Sequence, residues 1–303
     1  MSGSDHPHRP HAHAVSDDAD RRLLAVALAL ILAFMALEVA AGIVANSLAL
    51  LSDAGHMLTD AAAIAFSLLA IHLARRPPAG PMTFGLKRVE ILSAQVNGIT
   101  LLVLAAVILY EAVRRLISPP EVEAGLILAV ALVGVAFNLL AAYTLARANR
   151  TRLNVEGSFQ HIVTDLYAFI GTAVAAAVIL LTGFERADPI ASIFVAALML
   201  RSAYGLLRAS GRVFMEAAPE GVDPERIGRA LAAEPGVVEV HDLHVWEVTS
   251  GFPALSAHVV VEPDSDCHAA RFRLATLLER EFGIDHTTLQ VEHRPERLLE
   301  IEG

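Results

Sequence analysis

His56, Asp60, His161 and Asp165 are the four side chains with the clearest capacity for chemistry in this chain. They come as two copies of one pattern, His-x-x-Thr-Asp, in GHMLTD (55–60) and QHIVTD (160–165). Residues four apart share a helix face, so each copy aims an imidazole and a carboxylate at one point. Asp53 and Ser158, three residues before each histidine, extend the same faces. Two imidazole nitrogens and two carboxylate oxygens make four ligands of the kind Zn²⁺ takes in a tetrahedron. The competing use of such residues is to hydrogen-bond one helix to another. The duplication favours the metal.

Both copies sit in apolar sequence. The 303 residues are 55% hydrophobic, with a mean hydropathy of +0.53, too apolar for an ordinary soluble domain. Stretches of about 20 apolar residues fall at roughly 23–44, 48–73, 90–113, 122–146, 155–181 and 188–207. The first run is too long for the apolar part of a signal peptide. The expectation is an α-helical polytopic membrane protein with six transmembrane helices. The helical rise then places the two pairs roughly 10–18 Å into their spans, near the bilayer centre. A bare carboxylate there costs at least ~2.5–3.5 kcal/mol, so two of them require a cation or protons.

Cationic residues set the expected orientation. With the N-terminus inside, the inner segments carry Arg21, Arg22, Arg75, Arg76, Lys87, Arg88, Arg147, Arg150, Arg152, Arg201, Arg208 and Arg212. The outer loops carry Arg114, Arg115 and Arg186. That bias places both termini in the cytoplasm.

Three segments follow: residues 1–20 as a His-rich disordered cytoplasmic tail, 21–211 as the transmembrane domain, and 212–303 as a cytoplasmic domain. The tail's His6, His8, His11 and His13 read either as a loose metal collector or as plain polar sequence. The last segment holds 18 acidic residues against 8 arginines, which is the chain's whole net charge of −10. Such a surface excludes nucleic acid as a partner. Its pattern reads helix (223–235), strand (237–248), strand (254–263), helix (267–283) and strand (287–293), a small α+β domain. Cys267 is the one cysteine, so neither an internal disulfide nor a multi-cysteine metal site is available.

The stretches GIVANSLALLSDAGHMLTDAAAI, TFGLKRVEIL, QHIVTD, HDLHVWEVTSGFPALSAHVVV and HTTLQVE resemble the cation diffusion facilitators, the zinc-efflux branch in particular. The resemblance covers nearly the whole chain after residue 20. It implies six transmembrane helices, a ferredoxin-like cytoplasmic domain for metal binding and dimerisation, and a homodimer in a lipid bilayer. It further implies divalent-metal export in exchange for protons. His56 and Asp60 match the metal pair of the second helix, and His161 and Asp165 that of the fifth. His241, His258, His286 and Glu292 match positions that bind metal in the cytoplasmic domain; His268, His244 and His293 are weaker candidates. Relatives with two carboxylates on the second helix differ from this chain, whose added imidazole favours Zn²⁺, Co²⁺ or Cd²⁺ over Mn²⁺. The loop 74–88 contains neither His nor Asp, so a further metal site that some members carry there is not expected.

The expected protein is thus a Zn²⁺/proton antiporter of a bacterial cytoplasmic membrane and not an enzyme. Metal needs neutral imidazole and ionised carboxylate, so binding expels protons, and imidazole titrates near neutral pH. Two other readings stay open: a metal-sensing receptor without transport, and a carrier mainly for Co²⁺ or Cd²⁺. An intramembrane metalloenzyme is disfavoured, since the chain lacks His-Glu-x-x-His and four protein ligands leave no open position. Among other polar residues, Glu38 reads as an accessory ion stop or a polar partner, and Asn97 and Asn138 as interhelical donors. His72 reads as a snorkelling helix end, and Trp246 as core.

Overall fold

The computed structural model describes residues 17–44, 48–118 and 124–293, and within the second helix the side chains from Met57 onward, Thr59 excepted. The histidines of the tail lie outside the described residues. Six long helices come first: α1 (Asp17–Val44), α2 (Leu48–Ala74), α3 (Val89–Ile117), α4 (Ala124–Leu145), α5 (Leu153–Thr182) and α6 (Ala187–Phe214). Five of them are long and apolar enough to cross a membrane; in α2 the described apolar stretch is Asp60–Ala74. A helix satisfies its backbone polar groups internally, which is why it spans lipid.

Two packing groups build the bundle. Phe34 of α1, Ile64 of α2, Leu145 of α4 and Ile162 of α5 share one buried cluster. Phe34 stacks on Phe137 and meets Phe169 edge-on, with ring centroids 5.2 and 5.7 Å apart. Gly134 makes room for the Phe169 ring, which a Cβ there would strike. The other group joins α3 to α6 through Leu101, Ala105, Val195, Met199 and Ala203. Large apolar side chains such as Val103, Leu139, Val174 and Phe194 face outward, the composition of a lipid-facing surface.

The rest is α7 (Pro224–Ala232), β1 (Val237–Thr249), β2 (Phe252–Val261), α8 (Cys267–Phe282) and β3 (His286–His293). Asp223 caps α7 by accepting from Glu225 N–H, with Pro224 at the first helical position, where its missing N–H costs nothing. Asp266 caps α8 by accepting from the His268 and Ala269 N–H groups. β1 and β2 form an antiparallel pair and β3 runs parallel to β2, order β1-β2-β3. Leu255, Val259 and Val261 pack with Ile227, Leu231, Leu274 and Leu278 of the two helices. Trp246 is only half-buried; Val245 and Val248 beside it are buried instead, which corrects the expectation that the indole is core. Strand alternation turns the adjacent Val245 to the core face, opposite Trp246.

Candidate metal centre

Asp60 of α2 meets His161 of α5 at the middle of the bundle. The His161 Nε2 to Asp60 Oδ1 distance is 2.6 Å, and Asp165 Oδ2 stands 3.9 Å from the same nitrogen. One ligand atom from each lies within 4.8 Å of the others, and all three residues are buried. His161 sits one helical turn before Asp165, so α5 delivers both to one face. Core neighbours Val155 and Ile162 hold that helix against α1 and α4, and the small Ala61 and Ala63 flank Asp60.

A distance of 2.6 Å is a short hydrogen bond, at the tight end of contacts to charged groups. An ion with tetrahedral bonds of about 2.1 Å would spread two ligand atoms to about 3.4 Å. A pair that shares a proton must therefore part to share a cation, so proton and metal compete for the same two atoms. Of the four expected ligands, three converge. The fourth, His56, is on α2 one turn before Asp60; its side chain lies outside those described, as does that of Asp53. Ser158 turns to Ser67 of α2 at 2.8 Å.

Other intramembrane polar residues sort by contact. Asn97 does reach across, to Ser67 Oγ at 3.5 Å. Asn138 makes no interhelical bond among the described residues: its Nδ2 donates to the Gly134 carbonyl of its own helix, which corrects the role expected of it. Glu38 is buried on α1 and His72 is exposed at the end of α2.

Residues 24–215 match the family described as the cation efflux transmembrane domain, and residues 219–294 match the cation efflux protein cytoplasmic domain. The chain belongs to the cation efflux family. It is similar to the cadmium, cobalt and zinc/H(+)-K(+) antiporter of Bacillus subtilis (strain 168), 38% identical over 285 residues, covering 92% of this chain and 91% of the relative. Zinc transporter ZitB of Escherichia coli (strain K12) is 39% identical over 292 residues, covering 96% and 93%. Metal cation efflux system protein CzcD of Cupriavidus metallidurans is 38% identical over 280 residues, covering 91% and 88%. As a family member the chain is a divalent-metal efflux transporter, not an enzyme.

The family's cytoplasmic domain carries a second cluster here. His241 of β1 and His258 of β2 are cross-strand partners with ring centroids 5.3 Å apart. Asp242 joins them, with one ligand atom of each within 4.8 Å of the others. Asp242 is not among the ligands expected from the sequence. It sits at a register shift between His241 and His244 with φ of 48°, and such a bulge re-aims a side chain that strict alternation would turn away. The adjacency of His241 and Asp242 was the available signal.

The remaining two candidates are placed elsewhere. His286 pairs with Ala254, four residues along β3 from the Gln290 that faces His258, roughly 13 Å at the strand rise. There its ring lies against Phe84 and Phe252 at 5.7 and 5.4 Å. Within one protomer His286 therefore stands apart from His241 and His258: β3 runs parallel to β2, so its first residue starts at the far end of the sheet. Glu292 lies beside Val260 and accepts from Gln290 Nε2 at 3.2 Å. Of the weaker candidates, His293 Nε2 is 3.4 Å from Cys267 Sγ, while His268 opens α8 beside its Asp266 cap.

The same end of the sheet docks on the bundle. Thr249 Oγ1 donates to the Lys87 carbonyl at 3.1 Å, and Leu153 N–H donates to Ser250 Oγ at 3.1 Å. Lys87 Nζ lies 3.9 Å from the Phe252 ring centroid, and Arg88 pairs with Glu216 at 3.2 Å. The β1–β2 turn thus touches the first residue of the helix that carries His161.

Proposed function

We propose that this transporter exports Zn²⁺ in exchange for protons, with His56, Asp60, His161 and Asp165 as the transport site. The Asp60–His161 contact between α2 and α5 carries this reading, since one hydrogen bond joins the two ligand types that metal and proton both seek. In the proposed cycle a cation from the cytoplasm displaces the shared proton, and the four ligands close around it. After the helices rock to open the site outward, protons reclaim the imidazoles and the cation leaves. Two carboxylates buried near the bilayer centre make an empty, unprotonated return costly, which ties export to proton uptake. Imidazole ligands favour Zn²⁺ over harder ions; relatives named for cadmium, cobalt and zinc support the same class.

The proposal extends to assembly and control. The chain works as a homodimer with both termini in the cytoplasm of a bacterial cell, in keeping with the basic inner segments and the cytoplasmic domain that residues 219–294 match. His241, Asp242 and His258 bind a regulatory ion. That ion offsets the negative charge of the domain and draws two protomers together.

Everted vesicles containing the protein test the transport reading. Zinc should accumulate when the lumen is acid, and a protonophore should stop it. Zinc binding without accumulation would favour a metal-sensing receptor, and accumulation indifferent to the gradient would remove the protons from the cycle.

A further inference from the structure

Ser67, Ser93, Asn97, Asn154 and Ser158 form a second polar cluster that the transport ligands do not use, and all five are fully buried. They come from α2, α3 and α5. Ser67 Oγ is the hub, 2.8 Å from Ser158 Oγ, 3.3 Å from Ser93 Oγ and 3.5 Å from both Asn97 Nδ2 and the Asn154 carbonyl. Gly157 lets α3 in, since a Cβ there would lie 3.1 Å from Asn97 Nδ2. The cluster lies between the metal centre and the cytoplasmic domain. Ser158 precedes His161 by one turn and Ser67 follows Asp60 by two. Beyond it, Leu153 bonds to Ser250 of the cytoplasmic domain, and Arg152 stands 3.9 Å from both Asp20 and Glu90.

Helix-to-helix glue is the ordinary use of buried serines and asparagines, but glue satisfies the atoms it buries. Here Asn97 Oδ1 and both amide atoms of Asn154 are buried without a hydrogen-bonding partner among the described residues. Two hydroxyls and the Asn154 carbonyl thus gather around Ser67 Oγ, and the same cluster brings two buried amide oxygens that no donor occupies among the described residues. Their chemistry is that of a neutral oxygen site. Such ligands replace part of the hydration shell of a cation yet hold a transition-metal ion weakly, which suits a stop on a route better than a store.

We infer that this cluster is a relay subsite for a partly hydrated divalent cation on the cytoplasmic route to the metal centre. It rests on the transport reading above. The 2.8 Å Ser67–Ser158 contact closes the relay in this conformation, so parting α2 from α5 there opens it. Neutrality is what lets the ion move on to the carboxylates.

Three variants test the relay, by zinc flux into everted vesicles and by equilibrium zinc binding of the purified full chain. The binding component that Asp60→Ala removes reports the metal centre. Ser67→Val should lower kcat by roughly tenfold, a 1.4 kcal/mol barrier, and leave that component intact, while Ser67→Thr keeps most of the flux. Asn154→Asp, nearly isosteric, adds a charge that retains the ion, so KM and kcat should fall together by severalfold or more. Wild-type kinetics in both Ser67→Val and Asn154→Asp would overturn the relay, as would loss of Asp60-dependent binding in parallel with flux in both. A wild-type protein without Asp60-dependent binding would instead overturn the metal centre itself, and the relay with it.

Discussion

The candidate metal centre of the bundle and the cluster of the cytoplasmic domain offer the same ligand chemistry at different depths. His161 is fully buried between α2 and α5, whereas the His241 side chain keeps 39% of its surface exposed on an open sheet. Charge at the first place is costly, so in the proposed cycle one occupant leaves only as another arrives. At the second, water screens the charge, so the proposed regulatory ion would come and go without exchange. In this proposal depth, more than ligand identity, separates the site for obligatory exchange from the one for sensing.

Removing a carboxylate from the deep site should have the largest effect. Asp60→Ala or Asp165→Ala should cut zinc flux in proteoliposomes by at least about 100-fold, the upper range for losing even a supporting partner of a ligand. Insertion and dimerisation should persist, and wild-type flux in either variant would remove it from the site. His56→Asp should come next. A more oxygen-rich site should shift competition by Mn²⁺ or Cd²⁺ against Zn²⁺ by about tenfold, equal to about 1.4 kcal/mol; unchanged competition would show that His56 does not touch the ion.

The shallow cluster should tune rather than abolish transport. A His241→Ala/His258→Ala double variant should raise the zinc needed for half-maximal flux by about fivefold or more, the lower end of ordinary coupling between sites, while maximal flux survives. Complete loss with the dimer intact would place the domain in the pathway. The smallest effect concerns the start of α8. The Ala269 and His268 N–H groups hold the Asp266 carboxyl below the usual carboxylate range. Its stabilising contribution is present above the ordinary carboxylate range and is lost as pH falls through the lowered value. Asp266→Ala should therefore lower the thermal midpoint at neutral pH, with the difference closing in strong acid; an equal deficit at both would refute the cap's ionic part.

The legible parts of this protein are those governed by local rules. Apolar runs near the length of a bilayer crossing lie close to all six long helices, and i,i+4 spacing brought His161 and Asp165 to one face. The start of α7 likewise follows from Asp223-Pro224, whereas the Asp266 cap of α8 is seen in the structure alone. What sequence could not carry was decided by tertiary contact or backbone irregularity. Asp242 reaches its cluster through a bulge and a positive φ, and His286 is held by Phe84, about two hundred residues earlier in the chain. The Ser67 cluster draws on three helices, and nothing in the spacing of lone serines announces it. Asn138 illustrates the converse, since a local carbonyl took the bond that an interhelical partner was expected to receive.

The shared proton of Asp60 and His161 is the centre of the account, and the most direct measurement follows it. Everted vesicles with a pH dye in the lumen start with equal pH on both sides, and zinc is then added outside. Zinc moving inward should drive protons outward, so the lumen should turn alkaline with the wild-type protein and stay unchanged with Asp60→Ala. Zinc accumulation without any change in lumenal pH would contradict the account, because the metal would then be crossing without displacing the proton that the pair holds.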